Sequence, residues 1–274
     1  MKTLTTTQKV LLGFVILDVP LVLMAWFLPL TMPPLLRQGL IAVWGVFGSL
    51  FVEMWLFNHT IPQALRQLGY GRPVWRAVWL ALLITLPLWF TAPGYALITG
   101  ETLTLNPNLF TLITGVVLIN GLAEETVLRG FTFGHLREAM PFGRAATISA
   151  LLFAAQHLYL IAIMGSVAGI AAVIFAAVVS YPMAYLFERG GRTIWAPAVM
   201  HAIVNGAGGL FVLSGDGSTV VILIHMAVAM IMSGVCMLIA YRDSVFAQTR
   251  RQILTQAVST STPATASSSA MQGA

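Results

Sequence analysis

Three hydrophobic segments of the chain carry acid–base side chains that an ordinary lipid-facing helix lacks. A charged group inside a spanning helix costs about 2.5–3.5 kcal/mol on insertion scales, so each such group needs a specific role. The residues concerned are Glu124, Glu125 and Arg129 in the first segment, His157 in the second, and His201 with Asn205 in the third. We treat these six residues as candidates for a functional site.

Glutamate and histidine side chains can together hydrolyse an amide bond with water. A glutamate beside a histidine can hold a water molecule and remove its proton, which predicts that Glu124 and His157 act as the base. His201 and Asn205 are four residues apart, so they project from one helix face and can donate hydrogen bonds to the oxyanion of an attacked carbonyl. A set of this kind needs no nucleophilic serine or cysteine.

The spacing also separates the two neighbouring glutamates. Arg129 follows Glu125 by four residues, so these two side chains should form an ion pair on one helix face. Glu124 points about 100° away on an α-helix and is predicted to be the free base. Counted at about 1.5 Å per residue, the three segments present their polar groups at a similar depth. The sequence therefore predicts one shared cavity, open to the cytoplasmic side.

The composition that surrounds these residues excludes a soluble protein. Of 274 residues, 58% are hydrophobic and 8% are charged, whereas soluble domains carry about a quarter charged residues. The formal charge of +5 does not indicate nucleic-acid binding, because the basic residues lie at the ends of hydrophobic runs. The single cysteine, Cys236, excludes an internal disulfide.

Runs of about 20 apolar residues are long enough to cross a hydrocarbon core of about 30 Å as helices. We predict an all-α polytopic membrane protein whose transmembrane helices, about eight in number, enclose a polar catalytic cavity. The predicted spans are 10–30, 40–58, 75–95, 109–134, 144–164, 166–188, 193–213 and 219–241. Residues 1–242 form the membrane domain, and residues 243–274 form a cytoplasmic tail that is predicted to be disordered from about residue 255.

The basic residues predict the orientation of the chain. Twelve of the 14 Lys and Arg residues lie before the first span, after the last span, or in every second connection, whereas the other connections contribute Arg37 alone. The positive-inside rule then places both termini in the cytoplasm. We expect an integral protein of the bacterial inner membrane, in contact with membrane lipid and not with nucleic acid.

The polar motifs resemble those of the CPBP family of intramembrane proteases, which includes the CAAX prenyl endopeptidases and bacterial proteins linked to bacteriocin self-immunity. The family pattern is Glu-Glu-x-x-x-Arg, Phe-x-x-x-His and His-x-x-x-Asn on successive helices. The matching runs here are Glu124-Glu125-x-x-x-Arg129, Phe153-x-x-x-His157 and His201-x-x-x-Asn205, and the core motifs span 109–213. The resemblance implies an intramembrane endopeptidase that cleaves a membrane-associated, prenylated or otherwise lipidated peptide from the cytoplasmic side.

The resemblance assigns Glu124 and His157 to water activation, His201 and Asn205 to the oxyanion site, and Arg129 to support of the glutamate-bearing helix. Family members are often described as zinc metalloproteases, and Glu124, His157 and His201 would then be the zinc ligands. The chain contains no His-Glu-x-x-His motif, which favours a glutamate mechanism without a cofactor.

Two other classes of function compete with the protease. One is a non-enzymatic immunity or scaffold protein, and the other is a proton-coupled transporter, for which we find no internal repeat. Four further polar residues in the spans are predicted to have supporting or structural roles, namely Asp18, Glu53, His135 and His225.

Overall fold

The chain forms a bundle of helices with one very short sheet. The computed structural model describes residues 4–29, 31–215 and 217–261, with side chains described to residue 244 except at Ala25. Within these ranges, seven helical stretches are long and apolar enough to cross a membrane. They are Thr6–Met24, Pro34–Phe57, Trp75–Thr99, Leu109–Ala139, Phe142–Met164, Ser166–Arg189 and Ser218–Ser244. The predicted all-α membrane fold is confirmed.

Several of these stretches are divided into shorter elements. The first half of the chain contains α1 (Thr6–Phe27), α2 (Pro34–Val43), α3 (Ser49–Phe57), α4 (Ile61–Gln67), α5 (Trp75–Thr85), α6 (Thr91–Thr99), β1 (Leu103–Leu105) and α7 (Leu109–Gly115). The second half contains α8 (Gly134–Ala139), α9 (Phe142–Gln156), α10 (Tyr159–Met164), α11 (Ser166–Arg189), α12 (Trp195–Gly206), β2 (Phe211–Leu213) and α13 (Ser218–Ser261). Short 3₁₀ segments follow α5 and α12.

The fourth span is π-helical through most of its length. Two π segments, Val116–Glu124 and Thr126–Phe133, connect α7 to α8, and a third, Trp44–Gly48, connects α2 to α3. The π-helix is rare and occurs frequently at functional sites. The glutamate-bearing segment therefore does not follow the 100° rotation per residue that an α-helix would give.

A close approach of two backbones fixes the position of the glutamate-bearing segment. A Cβ atom added at Gly45 would lie 2.5 Å from the Cβ atom of Ala123, the residue before Glu124. Gly130 meets the backbone of Leu68 in the same way. Both positions require glycine, because side-chain atoms would occupy the space of the neighbouring helix.

The predicted span 193–213 is not a full-length transmembrane helix. It begins as α12, a helix of 12 residues that reaches about 18 Å, and ends at a run that contains Gly206, Gly208 and Gly209. Glycine is unfavourable within a helix, which explains the stop. The chain then continues into β2, which pairs antiparallel with β1, so that Leu103 lies opposite Leu213. Most of α12 is buried, and it packs on α5 and on the π segment Val116–Glu124.

The last described element of the chain is the long helix α13. α13 extends to Ser261, beyond residue 255, where the sequence predicts that disorder begins. The rest of the predicted tail, 262–274, lies outside the described residues. The chain divides into one compact unit that ends at Cys236 and a second that begins at Met237, and all the candidate residues lie in the first.

Candidate active site

The Glu125–Arg129 ion pair forms the foundation of the polar cluster. The Nη1 atom of Arg129 donates to Oε1 of Glu125 over 3.0 Å, and both side chains are fully buried. The Nη2 atom of Arg129 also contacts Ser180 Oγ at 3.2 Å and the sulfur of Met183 at 3.1 Å, both on α11. A buried guanidinium needs such partners to offset its lost hydration. Arg129 thus ties the π-helical segment to α11.

His201 lies between the two glutamates. Its Nδ1 atom is 2.6 Å from Oε1 of Glu125, and its Nε2 atom is 3.6 Å from Oε2 of Glu124. The imidazole is buried, and its ring packs edge-to-face on Phe153 at 5.6 Å. The bond to Glu125 is not evident from the sequence, which pairs Glu125 with Arg129 alone. It orients His201 so that its second nitrogen faces Glu124.

Glu124 has one oxygen held and one oxygen free of hydrogen bonds. Oε1 accepts a hydrogen bond from Nδ2 of Asn120 at 3.1 Å. Oε2 is buried and has no hydrogen-bond partner among the described residues. Asn120 was missed in the sequence, although its spacing of four residues from Glu124 is the signal that could have identified it. The Glu124 carboxylate is thus fixed at one oxygen, while the other can still accept a hydrogen bond.

Glu124 and His157 line the same cavity, which has a volume of about 410 Å³. His157 lies in the break between α9 and α10, where its Nδ1 atom is 2.8 Å from the carbonyl oxygen of Phe153. A carbonyl accepts only, so Nδ1 carries the proton and Nε2 is left as a proton acceptor. Gln156, whose Oε1 atom is buried and without a hydrogen-bond partner among the described residues, lines this cavity as well.

His157, His201 and Asn205 line a second cavity of about 410 Å³. Asn205 is exposed and does not line the cavity that contains Glu124. The prediction of one shared cavity is therefore corrected to two, with His157 between them. The correction has a simple reason, because similar depth on three helices does not fix the lateral position of a side chain.

The first cavity lies in the half of the bundle that carries few basic connections. Its lining includes Leu21 near the end of α1, Arg37 near the start of α2, Leu112 on α7 and Tyr159 on α10. All four positions adjoin connections that the sequence assigns to the non-cytoplasmic side. With the termini in the cytoplasm, as the basic residues predict, this cavity lies in the half of the bundle away from the cytoplasm.

Trp195 and Tyr70 attach the start of α12 to the neighbouring connection. The Nε1 atom of Trp195 donates to the carbonyl oxygen of Gly71 over 2.6 Å, and the rings of Tyr70 and Trp195 meet edge-to-face. The Tyr70 hydroxyl lies 2.7 Å from Oγ1 of Thr126, beside Glu125. Burial raises the pKa of Tyr70 more than this hydrogen bond lowers it. These contacts hold α12 in the register that brings His201 to the glutamates.

The other buried acids have different surroundings. Glu53 is fully buried and has two partners that the sequence does not reveal, His59 and His135, whose ring nitrogens each lie 2.8 Å from a Glu53 oxygen. His135 also stacks on Phe57. The Oδ1 atom of Asp18 is buried without a hydrogen-bond partner among the described residues. The structure places Glu53 and His135 in a separate polar cluster.

A metal site needs several ligands close together. No group of three or more His, Cys, Asp or Glu side chains in the described part of the chain is arranged to hold a metal ion. This applies to Glu124, His157 and His201, the three residues named as zinc ligands from the resemblance.

Fold and site together define a polytopic α-helical membrane protein with a buried glutamate–histidine–arginine cluster. Residues 106–207 match the family model described as Type II CAAX prenyl endopeptidase Rce1-like. The match covers all six candidate residues and confirms the resemblance that the motifs indicate. At the level of the family it supports a CAAX-type intramembrane endopeptidase. No curated protein matches the chain.

Proposed function

We propose that this protein is an intramembrane endopeptidase that uses Glu124 and His157 to activate water, without a bound metal. The observation that carries the proposal is the position of His201 between two glutamates, one paired with Arg129 and the other with an oxygen that has no hydrogen-bond partner among the described residues. Oε2 of Glu125 is likewise without a hydrogen-bond partner among the described residues, and Glu124 is distinguished from Glu125 because it lines the first cavity. Oε2 of Glu124 lies 3.6 Å from Nε2 of His201.

The general base is assigned from the hydrogen bonds that remain open. The bond from Asn120 fixes the Glu124 carboxylate, and its Oε2 atom can accept a proton from water. His157 offers Nε2 as a second acceptor on the same cavity, because its Nδ1 proton is engaged by a backbone carbonyl. Two acceptors on one cavity can orient a water molecule toward a peptide carbonyl.

His201 and Asn205 are assigned to the oxyanion. The Nδ1 atom of His201 is fixed on Glu125, so Nε2 is the ring nitrogen that is left to face the oxyanion. Asn205 presents its amide on the adjoining cavity. Because His157 lines both cavities, the scissile bond is placed beside His157, where the two sets of residues meet.

The proton balance of the reaction closes with these groups. As the water oxygen bonds to the carbonyl carbon, its proton passes to Glu124 and the carbonyl electrons move to the oxygen, which His201 and Asn205 stabilise. The C–N bond then breaks, and the proton from Glu124 passes to the leaving nitrogen. The products are a carboxylic acid and an amine, the acid then passes its proton to the amine to give a carboxylate and an ammonium group, and Glu124 is again ionised.

We infer a membrane-associated peptide as the substrate, in the bacterial inner membrane with both termini in the cytoplasm. The cavity lies within the membrane-spanning segments, so a peptide must enter it from the bilayer or from its surface. With the termini in the cytoplasm, as the basic residues predict, the lining of the cavity supports entry from the outer half of the membrane. Identification of the cleaved peptides by proteomics also tests whether the substrate carries a lipid.

The test compares membranes from cells that carry either the natural chain or the Glu124→Gln variant, and it identifies new peptide C-termini by proteomics. Glu188→Gln serves as the control, because Glu188 pairs with Arg137 away from both cavities. We expect Glu124→Gln to abolish the C-termini while the protein remains folded, and Glu188→Gln to retain them. Cleavage that persists in Glu124→Gln would refute the base, and cleavage lost in strong chelator would refute the metal-free mechanism.

The same variants distinguish the competing functions. A scaffold or immunity protein would retain its cellular effect in Glu124→Gln, because binding a partner does not require an ionised base. A proton-coupled transporter would lose substrate-driven proton uptake in Glu124→Gln while producing no new C-termini in the natural chain.

A further inference from the structure

A third cavity lies at the opposite end of the bundle, where the basic connections are. It has a volume of about 470 Å³ and is formed by α4, the connection after it, and the turn between α11 and α12. We call it the Arg66 pocket. Its lining residues are His59, Gln63, Arg66, Gln67, Gly71, Gly191, Arg192 and Thr193.

The Arg66 pocket contains two arginines in different states. Arg66 is exposed on α4, and among the described residues its guanidinium makes no hydrogen bond or ion pair. Arg192 is anchored through Nη2, which lies 2.9 Å from Oε1 of Glu138 and 2.9 Å from the carbonyl oxygen of Gly134. Its Nε and Nη1 atoms have no partner within the described chain. One fixed and one adjustable guanidinium thus line the same pocket.

The charge around the pocket is positive. Residues 54–100 contain no Asp or Glu, whereas they include Arg72 and Arg76 in addition to Arg66. Gln63 adds a neutral donor, because its Oε1 atom accepts from Thr60 and its Nε2 group is left to donate. Glu138 is the nearest carboxylate to Arg192, and it neutralises one of the positive charges. The remaining donors suit an anion such as a phosphate group.

The surroundings of the pocket are those of a membrane surface. α4 presents Ile61 and Leu65 as exposed apolar side chains on the same short helix as Arg66. Trp75, also exposed, begins the next span. An amphipathic helix with basic and apolar faces lies in the interfacial plane of a bilayer, and exposed tryptophan is typical of that level. If the bound anion is a lipid headgroup, its acyl chains would lie beside these apolar side chains.

We infer that the Arg66 pocket binds the phosphate headgroup of an anionic phospholipid. The phosphate is held by the guanidinium groups of Arg66 and Arg192 with a hydrogen bond from Gln63, and the acyl chains lie against Ile61 and Leu65. Basic pockets of this kind between membrane helices bind lipid headgroups. The site lies apart from both cavities of the proposed active site, so the inference does not depend on peptidase activity.

The experiment uses the full-length protein in neutral detergent, titrated with dioctanoyl-phosphatidylglycerol and followed by native mass spectrometry. Dioctanoyl-phosphatidylcholine is the uncharged comparison, and inorganic phosphate in large excess is the soluble competitor. The variant is Arg66→Gln, with Gln63→Ala as a second, milder variant. Arg144→Gln is the matched control, because Arg144 is exposed, lies at the same end of the bundle and does not line the pocket.

We expect phosphatidylglycerol to bind more tightly than phosphatidylcholine, and Arg66→Gln to weaken it about fivefold, the factor that one basic residue contributes near a membrane surface. Arg144→Gln should leave the affinity unchanged, and phosphate should displace little of the lipid. Equal losses in Arg66→Gln and Arg144→Gln, or equal binding of the two lipids, would overturn the site. Displacement by phosphate alone would show a site for soluble anions instead.

Discussion

The buried Glu125–Arg129 pair allows a test of the site that needs no substrate. In Arg129→Met the side chain keeps its length and loses its charge, so Glu125 is left as a buried carboxylate with His201 as its remaining partner. Breaking one side of a buried ion pair costs about 3–5 kcal/mol. The lost contacts to Ser180 and Met183 add to this cost.

The assay is thermal unfolding of the full-length protein in detergent, followed by tryptophan fluorescence. A loss of about 3–5 kcal/mol corresponds to a decrease in Tm of about 6–20 °C for a chain of this size. The double variant Arg129→Met with Glu125→Gln removes the uncompensated charge, so its Tm should lie above that of Arg129→Met alone. Arg144→Met serves as the control, because Arg144 is exposed.

Two outcomes would refute this reasoning. A Tm for Arg129→Met that equals that of Arg144→Met would show that the ion pair contributes nothing to stability. A double variant that is less stable than Arg129→Met would show that Glu125 is stabilised without its arginine.

Three further predictions concern one hydrogen bond, one close approach of two backbones and the orientation of the chain. Asn120→Ala removes the 3.1 Å bond to Glu124 and should lower the rate of cleavage about 10–100-fold, since a hydrogen bond to a charged group is worth about 1.5–3 kcal/mol; an unchanged rate contradicts it. Gly45→Val should lower Tm, because its Cβ would lie 2.5 Å from that of Ala123, and an unchanged Tm would argue against this close approach. Arg37→Cys should react with a membrane-impermeant thiol reagent added outside intact cells, because residue 37 is predicted to lie on the non-cytoplasmic side. The native thiol of Cys236 is buried and should not add to the labelling. Labelling only after lysis would show the opposite orientation.

Local spacing was enough to predict part of the site. Glu125 and Arg129 are one helical turn apart, and their ion pair forms on either an α- or a π-helical backbone at this spacing. The contact of His201 with Glu125 joins residues 76 positions apart and depends on how α12 packs. No periodicity within either segment contains that information.

Hydropathy identified the membrane segments but not their depth. The segment 193–213 is apolar enough to be taken for a span, yet α12 ends at Gly206 and most of it is buried within the protein. A helix covered by protein and a helix covered by lipid have similar composition, so the sequence does not distinguish them. His135 was missed as a partner of Glu53 for a related reason, since it is 82 residues away in the chain.

The early end of α12 affects the backbone hydrogen bonding of the chain that follows it. The 3₁₀ turn and the strand that follow α12 leave the hydrogen-bond pattern of the helix, so their peptide groups need partners elsewhere. β1 answers this demand by pairing with β2, and Asn106 donates its side-chain amide to the carbonyl oxygen of Gly209. Residues 103–106 have no part in the proposed chemistry. They provide hydrogen bonds to the backbone that follows α12, so that this short helix can end near the histidine cluster.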